Sequence, residues 1–229
     1  MLERALKYPY AVPEDDFILV NGAIRQLDDD NILLNRKPVL AVGSNRSPEQ
    51  LRRKFGQKEI IPVTHARLYN HDVVYSAHVA AYGSIPATLN ASPGTIVDIA
   101  VTWLSPRQLE RMHETEAVGV KYDYAETTGL EIELGDGRSV PSIGCYIGRN
   151  GGLNFKGKLV ALREIRALGR KYASYDQKSI LEYLFSKYCG RGDFERWLMD
   201  LITDSKIRQN LSGKISSESI VNILPAFGS

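Results

Sequence analysis

Two places in this 229-residue chain carry residue types that could do chemistry. The first is Gly43-Ser44-Asn45. The apolar run before it, Val39-Leu40-Ala41-Val42, reads as a short buried strand. Ser47-Pro48 follows, an N-cap with proline at the first helical position, and Gln50 falls where a capping box places Glu or Gln. Strand, turn and helix in that order gather main-chain N–H groups, a hydroxyl and an amide around one small space. Unsatisfied N–H groups carry partial positive charge, so the space suits a carboxylate or an oxyanion. The same pattern also describes an ordinary strand-to-helix connection. The second place is the end of another helix, opened by Ser105-Pro106-Arg107-Gln108 with the same capping signature. It runs through Leu109 and Met112 to Glu114 and Glu116. A carboxylate there is a candidate general acid and base, or simply a surface helix end.

Other chemistries lack their residues. The four histidines (His65, His71, His78, His113) share no zinc-type spacing, and His113-Glu114-Thr115-Glu116 lacks the second histidine of a HExxH helix. There is no GxSxG elbow and no P-loop. Asp28-Asp29-Asp30 has neither the alternating positions nor the twelfth-position Glu of a calcium loop and reads as a solvated turn. Cys145 and Cys189 stand alone, which excludes a disulfide scaffold and fits a reducing compartment. No metal and no cofactor is expected.

The elements that must position these residues alternate. Phe17–Val20 and Ala23–Leu27 read as strands around Asn21-Gly22, after an extended arm over residues 1–16. Beyond the first helix, residues 60–68 and 73–78 read as a hairpin around Tyr69-Asn70-His71-Asp72. Gly83-Ser84-Ile85-Pro86-Ala87 and Ser92-Pro93-Gly94 are loops, and 95–104 is a strand. Residues 122–133 and 139–147 are strands joined at Gly135-Asp136-Gly137. Short hairpin connections imply an α+β fold with a small mixed, largely antiparallel β-barrel flanked by helices. From about Gly157 the pattern turns helical. Ser174 and Gln177 frame a capping box before the stripe Ile180, Leu181, Leu184, Phe185, Tyr188. Asp193 caps a helix bearing Phe194, Trp197, Leu198, Leu201 and Ile202, and a last short helix spans 216–224. We divide the chain into a main domain, 1–155, and a helical C-terminal extension, 156–229. The stripes pack on the main domain or form a homodimer surface.

Charge is nearly balanced at +2, so no nucleic-acid role is implied. Residues 156–229 carry 13 Lys/Arg against 8 Asp/Glu, an asymmetry that a basic solvated helix face explains and that could also help an acidic partner dock. No apolar run reaches the ~20 residues of a membrane span, and the N-terminus has no apolar core of a secretory signal. The reading is a cytoplasmic protein.

In order along the chain, several segments resemble the γ-glutamylcyclotransferase-like family. Gly43-Ser44-Asn45 after an apolar strand is similar to its YGSN motif, and Gly83-Ser84-Ile85-Pro86-Ala87 to its Gly-x-Pro-Ala segment. Ser92-Pro93-Gly94 precedes a strand, as the family's Pro-Gly does. Leu109 through Val118 resembles its Leu-x-x-Leu-Asp-x-x-Glu-Gly-Val helix end. The resemblance covers roughly residues 37–150. It implies a cofactor-independent reaction in which a γ-glutamyl amine or peptide closes on itself, releasing 5-oxoproline and a free amine. It makes Glu116 the general acid and base, with Gly43, Ser44 and Asn45 holding the substrate and Tyr122 and Tyr146 closing the pocket. By sequence alone Glu114 competes with Glu116. Val42, His113 and Ala117 depart from the family's Tyr, Asp and Gly. Two other readings stand beside the cyclotransferase: a non-catalytic small-anion binding or partner-docking module of the same fold, with Glu116 exposed and away from Ser44, and amide hydrolysis by water at the same site.

Overall fold

A computed structural model describes residues 1–221 and 224. Among these it holds eleven strands: β1 (Phe17–Val20), β2 (Ala23–Gln26), β3 (Lys37–Ala41), β4 (Ile60–Tyr75), β5 (Ala87–Leu104), β6 (Tyr122–Thr127), β7 (Ile132–Leu134), β8 (Ile143–Gly148), β9 (Ala161–Leu162), β10 (Ala167–Leu168) and β11 (Ser174–Tyr175). Six α-helices are α1 (Leu2–Leu6), α2 (Pro48–Phe55), α3 (Pro106–Glu116), α4 (Gln177–Tyr188), α5 (Phe194–Thr203) and α6 (Ser205–Ser217). The fold is mixed α+β.

The strands form a single, mostly antiparallel sheet, ordered β11-β9-β4-β5-β3-β8-β6 along its main path. The parallel pairs are β3 with β8 and β9 with β11. The path ends at β11 and at β6, and no ladder joins those ends among the described residues. The sheet is therefore open, which corrects the expected barrel. Short connections fixed the antiparallel neighbours, but closure depends on tilt and stagger summed over all strands, which local pattern does not encode.

Both faces of the sheet are covered. Val39 and Ala41 of β3, Ile61 and Val63 of β4, and Ala100 and Leu104 of β5 pack on Leu51 of α2 and Met112 of α3. Leu40, Ala66, Leu68, Ile99 and Val101 face the other way, into a core shared with Ile180, Leu184, Leu198, Leu201, Leu211 and Ile215 of α4–α6. The two-residue alternation separates these sets. Burial on both faces explains why β3 reads as a continuous apolar run.

The expected hairpin at residues 60–78 is instead one strand, β4, paired with β5 from Val63↔Thr102 to Tyr75↔Ala87. Asn70 takes φ +60° and makes a bulge, not a turn. Opposite it, Ser92–Thr95 loops out of β5, held by a Ser92–Thr95 hydroxyl contact of 2.7 Å and by Gly94 N–H donating to Asn70 Oδ1 at 3.0 Å. The turn-forming residues are real, but they face each other inside a ladder that resumes on either side. Asp72 beyond the bulge is fully buried, and both its oxygens accept from Arg170, at 2.9 Å each.

Elsewhere the arm over residues 1–16 begins with α1, and short strands β9–β11 precede the helices. The Ser105/Gln108 capping box is formed, whereas the Ser47 side chain accepts no capping hydrogen bond. Asp176, not Ser174, caps α4, and Asp193 caps α5 as expected. The short helix expected over 216–224 does not form among the described residues: α6, which local pattern did not announce, ends at Ser217, Ile220 bridges to Gly152, and residues 222 and 223 lie outside the described residues. No described helix is long and apolar enough to cross a membrane.

Candidate active site

Strand β3 ends at Ala41, and the chain turns through a short 3-10 helix, Ser44–Arg46, into α2. This delivers Gly43, Ser44 and Asn45 to one end of the sheet. The capping box and proline at its start fix α3 so that its last residue, Glu116, arrives at the same end. Gly43, Ser44, Asn45, Glu116, Tyr122 and Tyr146 all line one cavity of about 180 Å³. The six residues expected at the site are thus together in space.

Glu116 is largely buried, its side chain 13% exposed. Its Oε1 accepts from the Asn45 side-chain amide at 2.7 Å and from the Lys54 ammonium of α2. Oε2 has no hydrogen-bond partner among the described residues. Glu114 lies outside the cavity, where its exposed carboxylate pairs with Arg111 at 2.7 Å. Geometry therefore separates two carboxylates that sequence left competing. Ala117, in place of the family's glycine, takes φ +51°, a left-handed conformation that costs an alanine more than a glycine.

The turn is closed by Ser47 N–H donating to Ser44 O at 2.9 Å and Arg46 N–H to Gly43 O at 3.5 Å, which leaves the Gly43 and Asn45 N–H groups out of the turn's own hydrogen bonds. Asn45 Oδ1 and Gln50 Oε1 are buried acceptors without partners among the described residues, and both residues line the cavity. Buried acceptors of this kind are costly unless something donates to them. Arg46 turns away: its guanidinium donates to Asp98 O at 2.9 Å and lines a separate cavity.

The aromatic wall is also partly redistributed. Tyr146 reaches the cavity, but its hydroxyl lies 2.9 Å from His113 Nδ1, so His113 holds this phenol. Tyr122 lines the cavity with no hydroxyl partner among the described residues. Burial first, then the Glu116 carboxylate, holds both phenols well above their ordinary pKa. Tyr8 and Tyr82, which no local pattern singles out, complete the wall. Val42 brings no hydroxyl, and a phenol comes from Tyr8 instead.

Lys54, His78 and Lys121 were likewise missed. Lys54 reads as one of three basic residues in the last turn of α2, with nothing to mark it as buried. Lys121 lines the cavity, and burial, then repulsion from Arg208, lowers its pKa, with Glu116 acting in the opposite direction. His78 is 5% exposed, its Nδ1 is 3.1 Å from Ser76 Oγ, and burial, then Lys121, pushes its pKa down to about 3. Unfolded, the same imidazole takes a proton near 6.5, so below that pH the unfolded chain binds the extra proton and stability falls. The slope is about 1.4 kcal/mol per pH unit, ending near pH 3. Urea unfolding at pH 7 and pH 5 is expected to show wild type losing about 2 kcal/mol more than His78→Gln.

No protein-family model and no curated protein sequence matches the chain. Solved structures do. An uncharacterized protein from Homo sapiens is 19% identical, with a TM-score of 0.43 over 50% of this chain and 67% of that one. YkqA from Bacillus subtilis is 11% identical, with a TM-score of 0.38 over 90% of this chain and 70% of that one. The chain's structural neighbours also include a gamma-glutamyl cyclotransferase, 19% identical, with a TM-score of 0.42 over 49% of this chain and 66% of that one.

Proposed function

We propose that the protein cyclises a γ-glutamyl amine or peptide to 5-oxoproline and a free amine, with Glu116 as general acid and base. The observation that carries this reading is the convergence of the Glu116 carboxylate, the Asn45 amide and the Gly43 loop on one cavity. The substrate supplies its own nucleophile. Its α-amine adds to the γ-carbonyl carbon, the C–O π pair moves onto oxygen, and the amine's surplus proton passes to Glu116. As the carbonyl re-forms, the bond to the leaving nitrogen breaks and that nitrogen takes the proton back from Glu116. No protein nucleophile and no cofactor is required. Ring closure is intramolecular, so a cavity that holds the folded conformer supplies much of the rate.

The test is to incubate purified protein with γ-glutamyl amines and γ-glutamyl amino acids and measure 5-oxoproline. Formation of 5-oxoproline from at least one substrate is expected, and none from any substrate overturns the reading. Running it in isotope-labelled water separates hydrolysis, which would place label in released glutamate. The binding-module reading keeps one observation in its favour, the Glu116–Lys54 ion pair, which is a complete charge pair before any ligand arrives. It predicts that 5-oxoproline or glutamate binds without turnover of any γ-glutamyl compound.

A further inference from the structure

One face of the cavity is made by neither Glu116 nor the Gly43 loop. It belongs to Tyr8, which follows α1 and is 3% exposed. The Tyr8 hydroxyl oxygen accepts from Ala87 N–H at 2.8 Å. It presses so closely on Gly43 that a Cβ there would run into it. Its ring stacks on Tyr82, with centroids 6.3 Å apart and planes 26° apart, and Tyr82 in turn lies under the Arg4 guanidinium, 4.6 Å from the ring centroid. The preceding helix is pinned by Ser84 Oγ donating to Ala5 O at 2.9 Å.

A phenol oxygen offers two lone-pair directions and one proton. Here one main-chain donor, Ala87 N–H, takes the acceptor side. The proton has no acceptor among the described residues, and Tyr8 lines the cavity. We infer that Tyr8 is a catalytic residue of the proposed reaction, donating its hydroxyl to the substrate's γ-carbonyl oxygen and stabilising the charge that oxygen gains when the α-amine adds. The inference rests on the cyclisation reading. The Tyr8 proton is shared, not transferred: charge builds on the carbonyl oxygen while the C–N bond forms and leaves it when the leaving nitrogen departs with the proton from Glu116. Burial raises the Tyr8 pKa, so the phenol stays protonated through the neutral range.

The experiment compares wild type, Tyr8→Phe and a variant with 2,3-difluorotyrosine at position 8, which keeps the shape and makes the phenol more acidic. For Tyr8→Phe, kcat is expected to fall about 100-fold with KM within about threefold, as for loss of one oxyanion donor. Melting temperature is followed in parallel, because the change also strips Ala87 N–H of its acceptor. The fluorinated variant is expected to keep the wild-type melting temperature while the alkaline limb of its pH–rate profile moves to lower pH, which a purely structural tyrosine would not do. If wild type turns over and Tyr8→Phe retains kcat within about fivefold per folded molecule, or if the fluorinated variant's profile does not move, the Tyr8 assignment is overturned and the cyclisation stands. If wild type turns over no γ-glutamyl substrate, the reaction falls and the catalytic assignment with it. Calorimetric titration with 5-oxoproline then separates an inert cavity, which takes up none, from a binding site.

Discussion

Replacing Glu116 by glutamine is expected to lower 5-oxoproline formation by about 10²- to 10⁴-fold, the range for loss of a positioned general acid and base. Glutamine fits the same space and can still accept from the Asn45 amide, which now donates to Glu116 at 2.7 Å. What it cannot do is take the proton of the attacking amine and return it to the leaving nitrogen. The effect therefore belongs in kcat, with KM moving much less. One complication comes from the structure itself. Lys54 loses its counterion when Glu116 becomes neutral, and its side chain is only 8% exposed, so the variant is also destabilised. Rates are to be measured well below its melting temperature and per folded molecule. A Glu116→Gln protein that is folded and retains more than about a tenth of wild-type kcat removes Glu116 from the chemistry.

That complication marks where the sequence stops being legible. The two capped helices were readable because their starting signals are local: proline at the first helical position, and serine three residues before glutamine. Once α3 is placed by that signal, Glu116 is its last residue, and the Gly43 turn follows directly from β3. The carboxylate and the loop could thus be named together. Lys54 could not, because its burial is set by the packing of α2 on α3. Nothing in Arg52-Arg53-Lys54 distinguishes the one cation that turns inward from two that do not. Tyr8 was hidden for a related reason. It lies in an arm that carries no periodic pattern, and long-range contacts hold it at the site: Ala5 joins the core shared with α5, and Ala87 N–H donates to the Tyr8 hydroxyl. Long-range packing also decided the sheet. The polar tetrad Tyr69–Asp72 carries every local mark of a turn, yet Arg170, 98 residues further on, buries Asp72 within a continuous strand. Local propensity lost there to a tertiary ion pair, as it lost at Ser47, which has the right residue type for a cap but a buried hydroxyl without a partner among the described residues.

Lys54→Met is expected to destabilise the protein by about 3–5 kcal/mol, the cost of leaving one member of a buried pair without the other. The lysine and Glu116 side chains are 8% and 13% exposed, so water screens neither well. Methionine matches the length of the lysine stem and is compatible with the Met112 thioether, whose sulfur now lies 3.4 Å from the ammonium. Packing is thereby held nearly constant, and the measured loss reports the orphaned carboxylate. The decisive comparison is the double variant Lys54→Met with Glu116→Gln, in which both charges are gone. Well-packed neutral replacements of a buried pair are commonly neutral or stabilising, so the double variant is expected within about 1 kcal/mol of wild type. The coupling from the complete cycle of urea unfolding curves is expected to exceed about 2 kcal/mol. A coupling near zero would mean that the two groups do not act as a pair, and that Glu116 is held at the cavity by Asn45 alone. A large coupling together with lost turnover in the stable double variant would identify the pair as a liability for stability, kept where it is because a carboxylate in this cavity has work to do that a neutral amide cannot.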